Sequence, residues 1–171
     1  MALPDAQLKL QSRRYDNPRI GERVRERFVA EGIAPARIAV NGEAFHQALL
    51  ATYADIDIAL DPFPYSGGLT TCEALWMGVP VVTLTGNTFA GRHSTSHLNN
   101  VGLSELVTET PEAYVATVLA LARDPERLAT LRQRLRERMA ASPLCDAKRY
   151  TRDLEAVYRK MWIKYCESRS K

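Results

Sequence analysis

The stretch DIALDPFPYSGGLTTCE, from Asp57 to Glu73, holds the residue types best suited to gripping an anion. An apolar run of strand character gives way to a proline-stiffened loop, a double glycine and the opening of a helix. Gly67 and Gly68 let the backbone approach a ligand without Cβ hindrance. Thr70 and Thr71 add hydroxyls beside the N–H groups that the first turn of a helix leaves unpaired. Together they can hold a diphosphate. The helix dipole contributes about 0.3–1 kcal/mol per anionic group, and up to about 2 when partly buried, so amide hydrogen bonds must share the work. Glu73 lies one turn further on, where its carboxylate can accept hydrogen bonds from two ribose hydroxyls, as an acidic residue does in dinucleotide sites. The same residues also fit a plain glycine turn entering a capped helix, with Glu73 acting on the dipole alone.

A second cluster, GNTFAGRHSTSH, runs from Gly86 to His97. In an open parallel sheet the loops after neighbouring strands face each other across the ligand crevice, so this segment should overlook Gly67 and Gly68. Arg92 is then either a pyrophosphate contact or a buried partner for a loop carboxylate such as Asp61. His93 and His97 stand one helical turn apart, but without a third convergent ligand they read as cap and packing residues, and no metal site is expected. Asp55 and Asp57 have the D-x-D form of a metal-binding pair, yet they enter a strand at its amino end, the wrong edge of a sheet for a ligand.

Positioning these loops requires strands and helices in alternation. Leu8 to Gln11 alternates like a strand, and the segment from about Pro18 to Glu31 puts Ile20, Val24, Phe28 and Val29 on one helical stripe. Strands are expected at Ile38 to Val40, Ile56 to Leu60 and Val79 to Leu84, the second of them central in the sheet. Short helices are expected over Ala44 to Tyr53, Thr70 to Met77 and Arg92 to Val101. That order marks a doubly wound α/β fold, a parallel sheet with helices on both faces. Thr110-Pro111-Glu112 and Asp124-Pro125-Glu126 each have the cap, proline and early acid of a helix start. A last helix from Asp146 carries Tyr150, Leu154, Val157, Tyr158, Met161, Trp162 and Tyr165 on one face, which must lie against something large. Only about one strand and one helix precede Ile38, so the domain looks truncated at its start.

Composition bounds the function. The chain has 171 residues, 46% hydrophobic and 25% charged, as expected for one globular core. Its 23 basic and 20 acidic residues are mixed along helices, which gives nucleic-acid binding no support. Cys72, Cys145 and Cys166 are odd in number and form no C-x-x-C pair, which fits a reducing compartment. No stretch reaches the ~18 consecutive apolar residues of a membrane span, and the N-terminus has no signal-peptide pattern. A cytoplasmic protein with no membrane partner is expected.

Three motifs together, DIALDPFPYSGGLTTCEALWMGVPVVTLTG, then FAGR with SHLNNVGLSELV, then SPLCDAKRYTRDLEAVYRKMW, resemble the C-terminal catalytic half of the O-linked N-acetylglucosamine transferase family, including bacterial members that carry tetratricopeptide repeats. The resemblance runs from about Leu3 to Tyr165. It implies a Rossmann-like domain of a GT-B glycosyltransferase, with residues 1–145 as the nucleotide-sugar-binding domain and residues 146–171 as a helix that crosses to a missing N-terminal domain. It also implies inverting, metal-free transfer of N-acetylglucosamine or a related sugar from a UDP-sugar to protein serine or threonine, with no cofactor. By position, Glu73 replaces the ribose-binding acid, Thr70 matches a phosphate-contacting threonine, Ala44 the residue whose backbone meets the uracil, and Arg92 a frequent arginine. His46 stands where the family has a lysine, Leu49 and Thr52 where it has basic residues, and Gly68 and Leu69 where the best-known members have histidine and threonine.

No residue here nominates itself as the catalytic base. The acceptor protein would bind through the missing domain, and the isolated chain is expected to be inactive. In isolation the last helix should form a homodimer, swap, or fold back on its own sheet. The departures at Leu49 and Thr52 favour a rival, a degenerate donor domain kept as a non-catalytic interaction module. A sugar-nucleotide epimerase of the same architecture is a further alternative.

Overall fold

The computed structural model describes residues 2–169. The chain forms two compact units, one ending at Thr52 and the other beginning at Tyr53.

In the first unit, strand β1 (Leu8–Gln11) pairs in parallel with β2 (Ile38–Asn41), Leu8 opposite Ile38 and Gln11 opposite Asn41. Two parallel strands need a crossover, and helix α1 (Pro18–Ala30) supplies it. Asn17 starts that helix, its side-chain oxygen accepting from the Arg19 N–H at 3.1 Å, with Pro18 in the first turn. Of the expected stripe, Val24 and Phe28 are half-buried, whereas Ile20 and Val29 are exposed. The buried position of α1 is Gly21, which faces Val40. Helix α2 (His46–Thr52) closes the unit.

The second unit is built on a three-stranded parallel sheet in the order β3 (Ala59–Leu60), β4 (Val81–Leu84), β5 (Val107–Thr108). Helices α3 (Leu69–Trp76) and α4 (His93–Asn100) connect the strands, and α5 (Pro111–Ala122), α6 (Pro125–Ala140) and α7 (Ala147–Arg169) follow. The core gathers Leu75, Val79, Val82, Leu98, Leu103, Leu106, Leu121 and Leu135, all fully enclosed. Burying side chains of this kind stabilises the fold by about 1.5–3 kcal/mol each.

Two expectations are corrected here. The centre of this sheet is β4, not the run Ile56 to Leu60, and that run is extended only at Ala59 and Leu60. Its first carbonyl goes elsewhere: the guanidinium of Arg132 on α6 donates to the carbonyl of Ile56 at 2.5 Å, and to those of Tyr53 and Ala54 just before the run at 3.1 and 2.9 Å. Similarly β4 begins at Val81 because the Val79 N–H is taken by the carbonyl of Ala74 at the end of α3. Gly78 makes that tight joint possible. Its φ is +84°, and a Cβ there would sit 2.7 Å from the Arg132 carbonyl oxygen, so a side chain would be both strained and obstructed.

The caps read from Thr110 and Asp124 are present, each side chain accepting from the N–H three residues on, at 3.1 and 2.9 Å. Helix α7 begins after the Asp146 cap and packs on the turn Pro143–Cys145. Beyond it the helix is bare: Leu154 is half-buried, and Tyr150, Val157, Tyr158, Met161, Trp162 and Tyr165 are all exposed. The helix does not fold back over the core of its own unit. Among the described residues no helix is long and apolar enough to cross a membrane.

Candidate functional site

The loop after β3 is organised by one carboxylate. Asp61 is 4% exposed and accepts the Gly67 N–H at 2.6 Å on one oxygen and the Thr83 hydroxyl of β4 at 2.6 Å on the other. Such charge-assisted bonds are short and about twice as strong as neutral ones. The loop is thereby folded back over the strand ends. From the far side the Tyr114 hydroxyl donates to the Asp61 carbonyl at 3.2 Å, and burial followed by the Asp61 charge raises the Tyr114 pKa to about 12.

Ser66 then ties this loop to the next one. Its N–H and hydroxyl both donate to the carbonyl of Ala90, at 3.0 and 3.1 Å. Its hydroxyl oxygen also accepts from the N–H groups of His93 and Ser94, at 3.0 and 3.3 Å, which completes the first turn of α4. Ser94 returns the link, its hydroxyl donating to the Gly67 carbonyl at 3.0 Å and meeting the Thr71 hydroxyl at 2.8 Å. The two loops after adjacent parallel strands are thus one hydrogen-bonded piece.

The first turn of α3 is finished differently. Its N-cap is Gly68, which has no side chain to bond the helix amides, and the first backbone bond of the helix runs from the Cys72 N–H to the Gly68 carbonyl. Gly67 is required by packing, since a Cβ there would meet the Thr71 and Thr70 hydroxyls at 2.5 and 3.0 Å. A Cβ on Gly68 would touch only His93 Nδ1, at 3.8 Å.

Of the eight site residues read from the sequence, six belong to the second unit. Gly68, Thr70 and Arg92 lie at the open rim, with Thr70 and Arg92 exposed. The Gly67 N–H and the Thr71 hydroxyl are turned inward to Asp61 and Ser94, so these two residues build the loop and do not offer those groups at its surface. Glu73 is buried, at 9% exposure, and its charge acts on Tyr53 and Cys72, whose pKa values are raised by burial first and by Glu73 in smaller part. Arg92 is the N-cap residue of α4. It is not the buried partner of Asp61, since Arg92 is exposed whereas that carboxylate is enclosed and bonded to Gly67 and Thr83. Ala44 and His46 belong to the first unit, Ala44 half-buried in the turn after β2 and His46 exposed at the start of α2.

Sequence reasoning missed Ser66, Thr83 and Tyr114, which hold the loop without any motif to announce them. Beside α4 opens a cleft of about 800 Å³, with Phe89, Arg92, His93 and His97 in its wall. Burial, and then the charge of His93, lower the His97 pKa against a smaller opposing pull from Asp61, and its Nδ1 has no partner. No group of three or more metal-ligating side chains occurs among the described residues.

The sequence profile of glycosyl transferase family 41 matches residues 8–154. The chain belongs to that family. Among family relatives, the probable UDP-N-acetylglucosamine–peptide N-acetylglucosaminyltransferase SPINDLY of Solanum lycopersicum is 47% identical over 118 residues, 69% of this chain and 13% of the relative. The Petunia hybrida protein of the same name is 43% identical over 149 residues, 84% of this chain and 16% of the relative. The UDP-N-acetylglucosamine–peptide N-acetylglucosaminyltransferase of Caenorhabditis elegans is 32% identical, over 84% of this chain and 12% of its own length. A solved mutant of the Thermobaculum terrenum O-GlcNAc transferase superposes with a TM-score of 0.91 at 43% identity, covering 98% of this chain and 32% of that one. This family 41 chain therefore spans a small part of the length of its curated relatives, and its α/β architecture is that of the bacterial transferase.

Proposed function

We propose that this chain binds the donor nucleotide of an inverting glycosyltransferase that moves N-acetylglucosamine, or a related sugar, from a UDP-sugar to protein serine or threonine. The observation that carries the proposal is the uncapped first turn of α3, held at the carboxyl edge of a parallel sheet by Asp61 and Ser66, in a chain of family 41. A diphosphate laid there would receive hydrogen bonds from amides that no side chain of the N-cap residue competes for. In the reaction the acceptor hydroxyl oxygen bonds to the anomeric carbon and releases its proton to solvent as the bond from that carbon to the diphosphate breaks. The electron pair leaves with the diphosphate, so donors fixed in advance at this turn and the Arg92 cation stabilise the charge that develops. Glu73 is assigned to the ribose hydroxyls.

No metal is required in this scheme, and transfer is expected to persist in EDTA. The acceptor is engaged by other parts of the protein, in the cytoplasm, where Cys72, Cys145 and Cys166 would stay reduced thiols. A homodimer through the bare face of α7 is the arrangement expected for the isolated chain, and light scattering showing a monomer at all concentrations rules it out.

Titration of UDP into the full-length protein tests the site: Glu73→Ala should bind about tenfold more weakly than wild type. Equal affinities would remove Glu73 from the site. The second reading, a non-catalytic module, is favoured by Leu49 and Thr52, which leave α2 without a lysine or arginine. Absence of UDP binding to the wild type would support it.

A further inference from the structure

We propose that His93 is a further donor-site residue, whose imidazole contacts the diphosphate of the bound nucleotide beside Gly68. The assignment rests on the donor-binding function proposed above and extends it to a side chain outside the motif that suggested it.

Three observations place the ring. The His93 N–H is bonded to the Ser66 hydroxyl, and Ser94, the next residue, is bonded to Ser66, Gly67 and Thr71, so the start of α4 is fixed against the loop that leads into α3. The imidazole packs edge-on against Phe89, ring centres 4.6 Å apart, which limits its freedom to swing away. Its Nδ1 is 3.8 Å from where a Cβ of Gly68 would stand, and no other heavy atom outside the chain neighbours comes as near to that point within 4 Å. Because Gly68 has no side chain, the space above the first turn of α3 is bordered by the imidazole of His93.

A phosphate oxygen seated on the α3 amides would therefore meet a ring nitrogen from the side. His93 also lines the ≈ 800 Å³ cleft beside α4, so its ring stands between that cleft and the start of α3 at Gly68. Imidazole donates through an N–H, or through two when protonated, and bonds to a charged oxygen are worth more than neutral ones. The residue is half-buried and is not among the enclosed side chains of the unit. This is a positional complement: Gly68 leaves the space open, and a residue from the next loop supplies the polar group.

The test is calorimetric titration of UDP, UMP and uridine into the full-length protein, as wild type, His93→Ala and His93→Gln, with thermal unfolding of each. The expected result is a loss of about tenfold in UDP affinity for His93→Ala, a smaller loss for UMP, none for uridine, and partial recovery in His93→Gln, whose amide can still donate. Losses of equal size for all three ligands, or no loss for UDP, would overturn the assignment while leaving the donor site in place. A wild type that binds none of the ligands would overturn the donor-binding function and the assignment with it. If His93→Ala unfolds early, the comparison of UDP with uridine in His93→Gln decides alone.

Discussion

Two helices of the second unit start just beyond the carboxyl ends of neighbouring parallel strands, and their first turns are completed in opposite ways. The first-turn amides of α4 are closed by the Ser66 hydroxyl, a group borrowed from the other loop. Those of α3 begin at a glycine with no capping side chain. A helix end buried without partners is costly, and one left open to solvent or ligand is not. The difference therefore separates a structural joint from a surface that can receive an anion. The serine adjacent to the double glycine serves the joint, while Gly68 leaves the α3 turn without a capping side chain.

The largest expected effect comes from breaking the loop on which both helices depend. Asp61→Ala leaves the Gly67 N–H and the Thr83 hydroxyl without their acceptor, and should lower stability by about 2–5 kcal/mol in urea unfolding. Asp61→Asn should cost less, since its amide oxygen can still accept from Gly67. A loss below about 1 kcal/mol in the alanine variant would show that the loop holds without this carboxylate.

Ser66→Ala would make the start of α4 resemble that of α3. It removes a cap worth about 1–2 kcal/mol, and chemical denaturation should show a loss of that size. An unchanged midpoint would mean that solvent replaces Ser66 at no cost, and the contrast between the two helices would lose its meaning.

A pH-dependent loss should follow from Tyr114, which holds the Asp61 carbonyl from the other side. Its pKa in the folded protein is raised to about 12, above the unfolded value of 10.0, so the folded state binds the proton more tightly. The stability this contributes is complete below pH 10.0 and is lost as the pH rises through about 12. Tyr114→Phe should show a shallower fall in unfolding midpoint over that range, and an identical fall would rule out the tyrosine as its source.

The smallest change in stability is expected from making α3 resemble α4. Gly68→Ser supplies a capping hydroxyl where there is room for a side chain, and should alter stability by only a few tenths of a kcal/mol. UDP affinity should nevertheless fall several-fold, because the new hydroxyl oxygen competes for the amides. Unchanged UDP affinity would place the diphosphate elsewhere.

Much of this organisation is written in local residue order. The starts of α1, α5 and α6 follow from Asn17-Pro18, Thr110-Pro111 and Asp124-Pro125, because a cap and a proline act within one turn. The α3 entry is legible in the same way, since Gly68 is adjacent to the helix it opens and Thr70 lies in its first turn. The apolar stripe of α7 was equally plain, and its exposure is a matter of what surrounds the helix, which no periodicity contains.

Other features exist only because distant segments meet. The run Ile56 to Leu60 has strand composition throughout, yet Arg132, 76 positions later in the chain, takes the Ile56 carbonyl, and only Ala59 and Leu60 are in the strand. β5 is two residues long and pairs with β4 where the core of Leu103 and Leu106 brings it alongside. Thr71 and Thr70 are indistinguishable as sequence neighbours, but one hydroxyl is buried against Ser94 and the other residue is exposed. The sequence by itself determined the family, the helix starts and the glycine opening, because those depend on neighbours in the chain. Tertiary structure alone decided which polar groups are taken inside and which are left outside, and it brought His93 beside Gly68, because a hydrogen bond forms only with what the fold carries within about 3 Å.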